Sequence, residues 1–412
     1  MAQEKNILFI SHDGMTDPLG QSQVIPYLQG ISRSGPYRFF ILSLEKKEVF
    51  EKNKHIIEQS LRGYPITWVP LPYHKKPPVL ATLYDNRQLK KAAAALHKKQ
   101  GINMVHTRSG MPALIGLWLK KKYGIKFLHD IREFYADGRI DGKMWNLKNP
   151  LYNIIYKYFK QKEKEEIQNC DGINCLTHAA ERIIRQLPYF NKNIPLQVIP
   201  CSVDMQLFDP SKYNADTVAA LKKTVNIKPN EIVFSYLGSI GGYYLTEEMI
   251  RFCKRTAEKM PLAKFLFISP HRHEQILAAA NQYGLPSEKV ITVNAKRAEV
   301  PQWLALSNYS FFFIKQAFSK LSSSPTKHAE IMAMGVPVIT NNGVGDLEEI
   351  IHSTLTGYVV NDFTDNTFLT VIDQLSAEPH FSKPAIRNAA EKYYALPRAI
   401  EKYTALYQAV LH

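Results

Sequence analysis

Ile232-Val233-Phe234-Ser235-Tyr236-Leu237-Gly238-Ser239-Ile240-Gly241-Gly242 is an apolar, β-rich run that breaks into a glycine-rich turn, with a helical stretch following from about Thr246. Such a run reads as a strand buried on both faces. The chain opens in the same way: Asn6–Ser11 is apolar, a loop with Gly14 and Gly20 follows, and a helical stretch begins near Gln21. Downstream of Gly242, further strand runs lie at Phe265–Ser269, Val290–Val293, Ser310–Ile314, Val336–Thr340 and Tyr358–Val360. Upstream they lie at Phe39–Leu44, Ile66–Val69, Met104–His106, Lys126–His129, Ile173–Leu176 and Gln197–Ile199. Between most of them are segments of helical periodicity, among them Gln23–Ser34, Gln88–Lys99 and Pro112–Tyr123. Strands alternating with helices predict parallel sheets covered on both faces, and the restart at Ile232 predicts two of them. Ligands bind such sheets at the carboxyl ends of the strands.

The predicted fold class is therefore α/β, with two Rossmann-like, doubly wound domains facing across a cleft that holds the ligand. A chain of 412 residues suits two domains of about 200 residues each. The prolines and polar residues of Pro200–Asn230 mark the linker, which puts the domains at 1–205 and 206–396. Beyond Val360 the chain reads as mainly helical, and Tyr403, Leu406 and Tyr407 give the last helix an apolar face for docking.

Composition excludes several classes. No window approaches the roughly 20 apolar residues of a membrane-spanning helix. The start, with Glu4 beside Lys5 and an apolar run only from Ile7 to Ile10, is not a signal peptide. Cys170, Cys175, Cys201 and Cys253 have no metal-ligand spacing and read as reduced core thiols, so the expected location is the cytoplasm. The net charge of +15 favours anionic partners. Nucleic acid is not among them, because no base-reading module accompanies the charge. Phosphorylated small molecules and an anionic membrane surface remain. The lysine–aromatic stretches Trp118–Tyr123 and Tyr152–Lys160 are candidates for peripheral attachment to the inner face of a membrane.

Three loops carry the residue types of an anion site. Glycines at the first strand–helix junction (Gly20) and at the restart (Gly238, Gly241, with Ser239) let a ligand approach backbone N–H groups. The densest segment is Ser322-Ser323-Ser324-Pro325-Thr326-Lys327-His328-Ala329-Glu330. Ser324 suits the N-cap of a helix and Pro325 its first position. Hydroxyls, free N–H groups and Lys327 then converge where an anion would sit, and Glu330, three residues on, shares the face of Lys327. In the first half, His129, Asp130 and Arg132 follow one apolar run, and His106 and Arg108 end another.

Glu330–Ile339 (E-I-M-A-M-G-V-P-V-I) resembles the signature E-A-M-A-x-G-x-P-V-I of retaining GT-B glycosyltransferases of the group 1 type. Val198–Pro210 (V-I-P-C-S-V-D-M-Q-L-F-D-P) is similar to that group's V-I-P-N-G-V-D-x-x-x-F-x-P segment, and Gly343–Ile350 to its G-G-x-x-E-I-I region. The stretch from Asp130 through Arg132 and Asp137 to Arg139 looks like one found in relatives with bacterial surface-polysaccharide roles. The resemblance implies transfer of a sugar from a nucleotide diphosphate sugar to a hydroxyl acceptor, a glycan or lipid-linked glycan, with retention. It puts Glu330 on the donor ribose, Lys327 with Ser323, Ser324 and Thr326 at the diphosphate, the Gly238 and Gly20 loops facing it, and Asn294 near the base. It makes His129, Lys327 and Glu330 the catalytic candidates, with His106, Arg108, Asp130 and Arg132 on the acceptor side, and it returns helix 397–411 to the amino-terminal domain. The family's first glutamate falls on Ser322, a departure that implies a different sugar contact. Its diphosphate-binding Arg and Lys are not evident around Ser269–His271, and Arg297 and Lys296 are candidate substitutes. No cofactor beyond the donor co-substrate is expected, and no metal, since no Asp-x-Asp triplet is present. A sugar-nucleotide epimerase and a catalytically silent sugar-nucleotide-binding subunit are the rival expectations.

Overall fold

The structure, a computed structural model, describes residues 3–108, 110–377 and 381–412. It divides into two compact units, Met1–Pro200 with Leu396–His412, and Cys201–Ala395. The first contains β1 (Lys5–Ser11), β2 (Tyr37–Glu45), β3 (Ile66–Pro72), β4 (Met104–Arg108), β5 (Lys126–Ile131), β6 (Gly172–Cys175) and β7 (Leu196–Val198). They form one parallel sheet in the order β3-β2-β1-β4-β5-β6-β7. Successive residues feed opposite faces, the period of two expected of a strand. Leu8 and Ile10 pack with Val105, Phe127 and Ile173 on one side, whereas Ile7 and Phe9 pack with Met104 and Leu128 on the other.

The second unit contains β8 (Ile232–Leu237), β9 (Ala263–Ile268), β10 (Val290–Val293), β11 (Tyr309–Phe311), β12 (Val338–Asn341) and β13 (Gly357–Val360), in the order β10-β9-β8-β11-β12-β13. All pairs are parallel. The thirteen strand runs of the sequence all become strands; most are buried on both faces and mainly apolar, and the edge strand β3 is only half-buried. In both sheets the order reverses beside the first strand of the unit, between β1 and β4 and between β8 and β11. A crevice for ligands opens at such a switch point, outside the carboxyl ends of the strands.

Three elements depart from the sequence-based expectation. The helix expected at Gln88–Lys99 begins ten residues earlier and spans Pro78–Gln100. Its first turns present apolar residues to solvent, so core-facing periodicity marks only its second half. The stretch expected to be a linker is folded into the second unit, with a helix at Ala215–Thr224 and Phe208 fully buried. β11 stops at Phe311, short of Ile314, because beyond it the side-chain amide of Asn341 takes the place of a neighbouring strand: Ile314 N–H donates to its Oδ1 (2.8 Å) and its Nδ2 donates to the Ile314 carbonyl (2.9 Å). Among the described residues no helix is long and apolar enough to cross a membrane.

The last helix, Leu396–Leu411, packs on the first unit, burying Tyr403, Leu406, Tyr407 and Val410 against Ile7, Phe9 and Phe39. Gly20 lies inside the helix Pro18–Gln23, and a Cβ there would stand 2.3 Å from the Gly14 carbonyl oxygen and 2.5 Å from Met15 Cα. Backbone cannot yield as a side-chain tip does. Gly20→Ala is therefore expected to destabilise the first unit by about 1–3 kcal/mol, seen as a lower urea midpoint of unfolding.

Candidate functional site

In the second unit the loop after β8 is built over two lysines. Gly238, Gly241 and Gly242 have φ of 122°, 79° and 67°, a region that L side chains rarely adopt. The loop then runs antiparallel to the extension of β11, with Leu245 N–H donating to the Phe313 carbonyl and Lys315 N–H to the Tyr243 carbonyl. This pairing fixes Tyr243 and Tyr244. Lys320 Nζ lies 3.5 Å from the Tyr243 ring centroid, and Lys327 Nζ lies 3.7 Å from that of Tyr244 and 4.4 Å from that of Tyr236. Lys327 also donates to the Tyr236 hydroxyl (3.2 Å). A Cβ on Gly238 would stand 2.7 Å from Lys327 Nζ, so glycine is what lets the loop lie against the ammonium. Burial pushes the Lys327 pKa well below that of an ordinary lysine, opposed by Glu330. Aromatic faces stabilise a buried cation only in part, so this site favours an arriving anion. Ser239 is exposed on the loop, and its carbonyl accepts from the Tyr236 hydroxyl.

The helix Thr326–Ala333 carries Lys327 and Glu330, both buried. Glu330 does not turn to Lys327 but accepts from Arg297 (2.8 Å). Burial raises the Glu330 pKa, and Arg297 and Lys327 oppose the rise. Arg297, expected as a substitute at the diphosphate, is thus the partner of the carboxylate. The N-cap is Pro325, with no side-chain cap, and not Ser324. The reason is that the Ser324 hydroxyl accepts instead from Cys201 N–H (3.2 Å). The first turn of the helix, with Thr326, is thereby left without a side-chain acceptor at its amino end. Ser323 N–H donates to the Lys320 carbonyl (3.1 Å). Ser322 is fully buried at the end of the 3-10 turn Phe318–Ser322 and donates to the Ser319 carbonyl (2.8 Å). Asn294 is exposed at the end of β10, two strands from β8 and so roughly 10 Å along the sheet edge.

Sequence reading misses two cations here. Arg272 stands one residue beyond Ser269–His271, at φ 64°, and donates to the Ile240 carbonyl (2.8 Å), its guanidinium beside Gly241. Its position next to that segment is the one signal available. Lys320 precedes the serine run by two residues, and nothing in the sequence distinguishes it from a surface lysine.

In the first unit the candidates separate according to sheet face. His106, Arg108 and Asp130 share one face through the β4–β5 register, and His129 points to the other. Asp130 is the centre of a buried network. Asn174 donates to its Oδ1 (2.6 Å) and Tyr403 to its Oδ2 (3.2 Å), while His106 and Arg132 each lie 3.5 Å from Oδ2. Tyr407 lies 2.6 Å from the other ring nitrogen of His106. Burial works against the Asp130 charge, yet Arg132, His106 and Arg108 together hold its carboxyl well below the usual carboxylate range. His129 lines a small cavity of about 30 Å³, with Nε2 3.8 Å from Glu166. Burial lowers the His129 pKa to about 4 and raises that of Glu166 well above the usual carboxylate value, so burial disfavours the charged form of both.

Arg108 and Arg132 line a different, open cavity of about 900 Å³ at the carboxyl ends of β1, β4 and β5. The Gly20 loop does not offer free amides to it. Met15 N–H (2.6 Å) and Thr16 N–H (3.2 Å) donate to the carboxylate of buried Glu45, an anion supplied from within. Two of the three lysines of Trp118–Tyr123 are engaged with acids, Lys120 with Asp171 (2.7 Å) and Lys121 with Glu165 (2.9 Å), and Lys122 lies over the Trp118 and Tyr123 rings. All four cysteines are buried thiols outside any disulfide, and among the described residues no group of three or more His, Cys, Asp or Glu is arranged as a metal site.

Residues 218–392 match the family described as "Glycosyl transferases group 1". No curated protein matches the sequence. Solved structures of similar fold include sucrose-phosphate synthase from Thermosynechococcus elongatus, at 16% identity and a TM-score of 0.75 with 98% of each chain covered. A glycosyltransferase from Rickettsia africae is 15% identical, with a TM-score of 0.72 over 100% of this chain and 99% of that one. Anabaena HepE, solved in complex with UDP and glucose, is 11% identical, with a TM-score of 0.69 over 98% of this chain and 99% of that one.

Proposed function

We propose, for a chain whose second unit carries a group 1 glycosyltransferase domain and whose fold is that of the GT-B enzymes, that it moves a sugar from a nucleotide diphosphate sugar to a hydroxyl acceptor, a glycan or lipid-linked glycan, with retention at the anomeric carbon. One observation carries the reading. At the switch point of the second sheet, a glycine loop lies against the buried ammonium of Lys327, with Lys320 close by under Tyr243. The diphosphate is assigned to this loop and these lysines, and the ribose to Glu330 as oriented by Arg297. The description of HepE with UDP and glucose supports a donor of this class. The acceptor oxygen bonds to the anomeric carbon, the bond to the diphosphate oxygen breaks, and the nucleoside diphosphate leaves with that electron pair while the hydroxyl proton is released. The lysines stabilise the charge that develops on the leaving group, so a metal is not required for this step. Ser322, whose hydroxyl is turned into its own loop, leaves the sugar to be contacted by other groups. A role in surface-polysaccharide synthesis at the inner face of a membrane completes the proposal.

A panel of nucleoside diphosphates and their sugars, screened by thermal shift on the purified chain, tests the reading. At one hundred times its dissociation constant the cognate nucleotide stabilises by about 2.7 kcal/mol. The cognate nucleotide sugar, with chelator present, is then expected to yield a glycoside of unchanged anomeric configuration by NMR. No stabilisation by any nucleotide, or a free epimerised sugar as the product, would overturn it.

A further inference from the structure

The 900 Å³ cavity of the first unit has two unlike walls. At the strand ends it is charged, with Arg108, Arg132 and Arg139 beside Asp13, Glu133 and His12. Each guanidinium has a carboxylate nearby, but at 3.3 Å (Arg108–Asp13), 3.5 Å (Arg132–Asp130) and 3.8 Å (Arg139–Glu133). Charge-assisted hydrogen bonds close to about 2.7–2.9 Å, so these three pairs are longer than that, and all three guanidiniums stand on the cavity wall.

The outer wall is apolar and open to solvent. Val79, Leu80 and Leu83 on the helix Pro78–Gln100, and Leu151, Ile154 and Tyr158 on the helix Pro150–Asn169, are each 50–66% exposed. Single exposed apolar residues are ordinary. Here two helices each turn an apolar stripe outward, and Val79, Leu83, Ile154 and Tyr158 line the same cavity. Contiguous patches of this kind mark binding surfaces. Lysines lie on the flanks: Lys143 and Lys148 ahead of the helix Pro150–Asn169 and Lys157 on it, where Lys160 and Lys162 are paired with Asp137, Glu163 and Glu165, and Lys75 and Lys76 ahead of the other helix. An aliphatic wall has nothing to offer the hydroxyls of a bare glycan. A hydrocarbon chain ending in an anion matches both walls.

We propose that this cavity takes the acceptor as a lipid-linked phosphate or diphosphate, with the hydrocarbon against Val79, Leu83, Ile154 and Tyr158 and the phosphate at Arg108, Arg132 and Arg139. Calling the molecule an acceptor rests on the glycosyltransferase reading above; its chemistry rests on the cavity alone.

Calorimetry on the full chain tests this with dodecyl phosphate below its critical micelle concentration. It is expected to bind at least tenfold more tightly than inorganic phosphate, which lacks the chain, and than dodecyl maltoside, which lacks the charge. Arg139→Ala and Leu83→Asp are each expected to weaken it about tenfold or more. Both side chains reach the surface, and an unchanged melting temperature shows that the variants fold. Equal binding of inorganic phosphate would make this a site for small anions, and equal binding of dodecyl maltoside would make it an unselective apolar surface; either overturns the proposal. So would vesicles of phosphatidylglycerol binding both variants as well as the parent while dodecyl phosphate is not bound, since the partner would then be a bilayer surface. Nucleoside diphosphate binding by the same samples separates the two readings. Dodecyl phosphate bound without any nucleotide would sink the transferase reading and leave the cavity assignment standing. Nucleotide bound without dodecyl phosphate would sink the cavity assignment alone.

Discussion

Lys327→Met is expected to weaken nucleoside diphosphate binding by roughly 10- to 150-fold, the 1.5–3 kcal/mol typical of a hydrogen bond to a charged group, while leaving the protein as stable as before or more so. Methionine keeps most of the stem and removes the ammonium that burial disfavours beneath Gly238. A residue with a merely structural role would lose stability and affinity together; here they diverge. The pH dependence has the same origin. The folded-state pKa of Lys327 is lowered, so the unfolded chain binds more protons between that pKa and the unfolded value. Stability attributable to Lys327 therefore rises with pH across this window. Nucleotide affinity falls across it, because the ligand prefers the charged form. Binding within the window should take up a proton, visible by calorimetry in buffers of different ionisation enthalpy. Proton uptake and affinity unchanged in Lys327→Met would remove Lys327 from the site.

Asp130→Asn should cost about 3–5 kcal/mol, the usual penalty for removing one member of a buried charged network. Arg132 and Arg108 would then face an amide, and the Tyr403 and Asn174 hydrogen bonds would lose their charged acceptor. The folded-state pKa of Asp130 is depressed, so its contribution is complete above the unfolded value of about 3.9 and is lost as the pH falls through the folded value. Parent and variant should therefore differ most near neutrality and converge in acid, in urea titrations at several pH values. A gap that does not narrow in acid would mean that the charge of Asp130 contributes nothing to the fold. The variant should also loosen the last helix, because Tyr403 reaches Asp130 from it.

What the sequence by itself determined is the layered architecture and the loop and helix that make up the candidate anion site. Both follow from local rules. Strands covered on both faces are mainly apolar, so the strands were legible as runs. Glycines at strand ends and a serine-rich helix start are local too, and they mark the loop at Gly238 and the helix bearing Lys327 and Glu330. The tertiary structure decided which of these groups meet. Arg297 and Glu330 are 33 residues apart and pair only because β10 and the helix after β11 end on the same edge of the sheet. Tyr403 and Tyr407 reach Asp130 and His106 from the far end of the chain. His129 and Asp130 are adjacent in sequence yet face opposite sides of the sheet, one beside buried Glu166 and the other in a charged network. The apolar wall of the large cavity is carried by two helices about 70 residues apart, and each stripe alone is indistinguishable from a core face. Periodicity records that a helix has an apolar side. Whether that side meets the core or an open cavity depends on what the rest of the chain places against it, and sequence-local propensity carries no term for that.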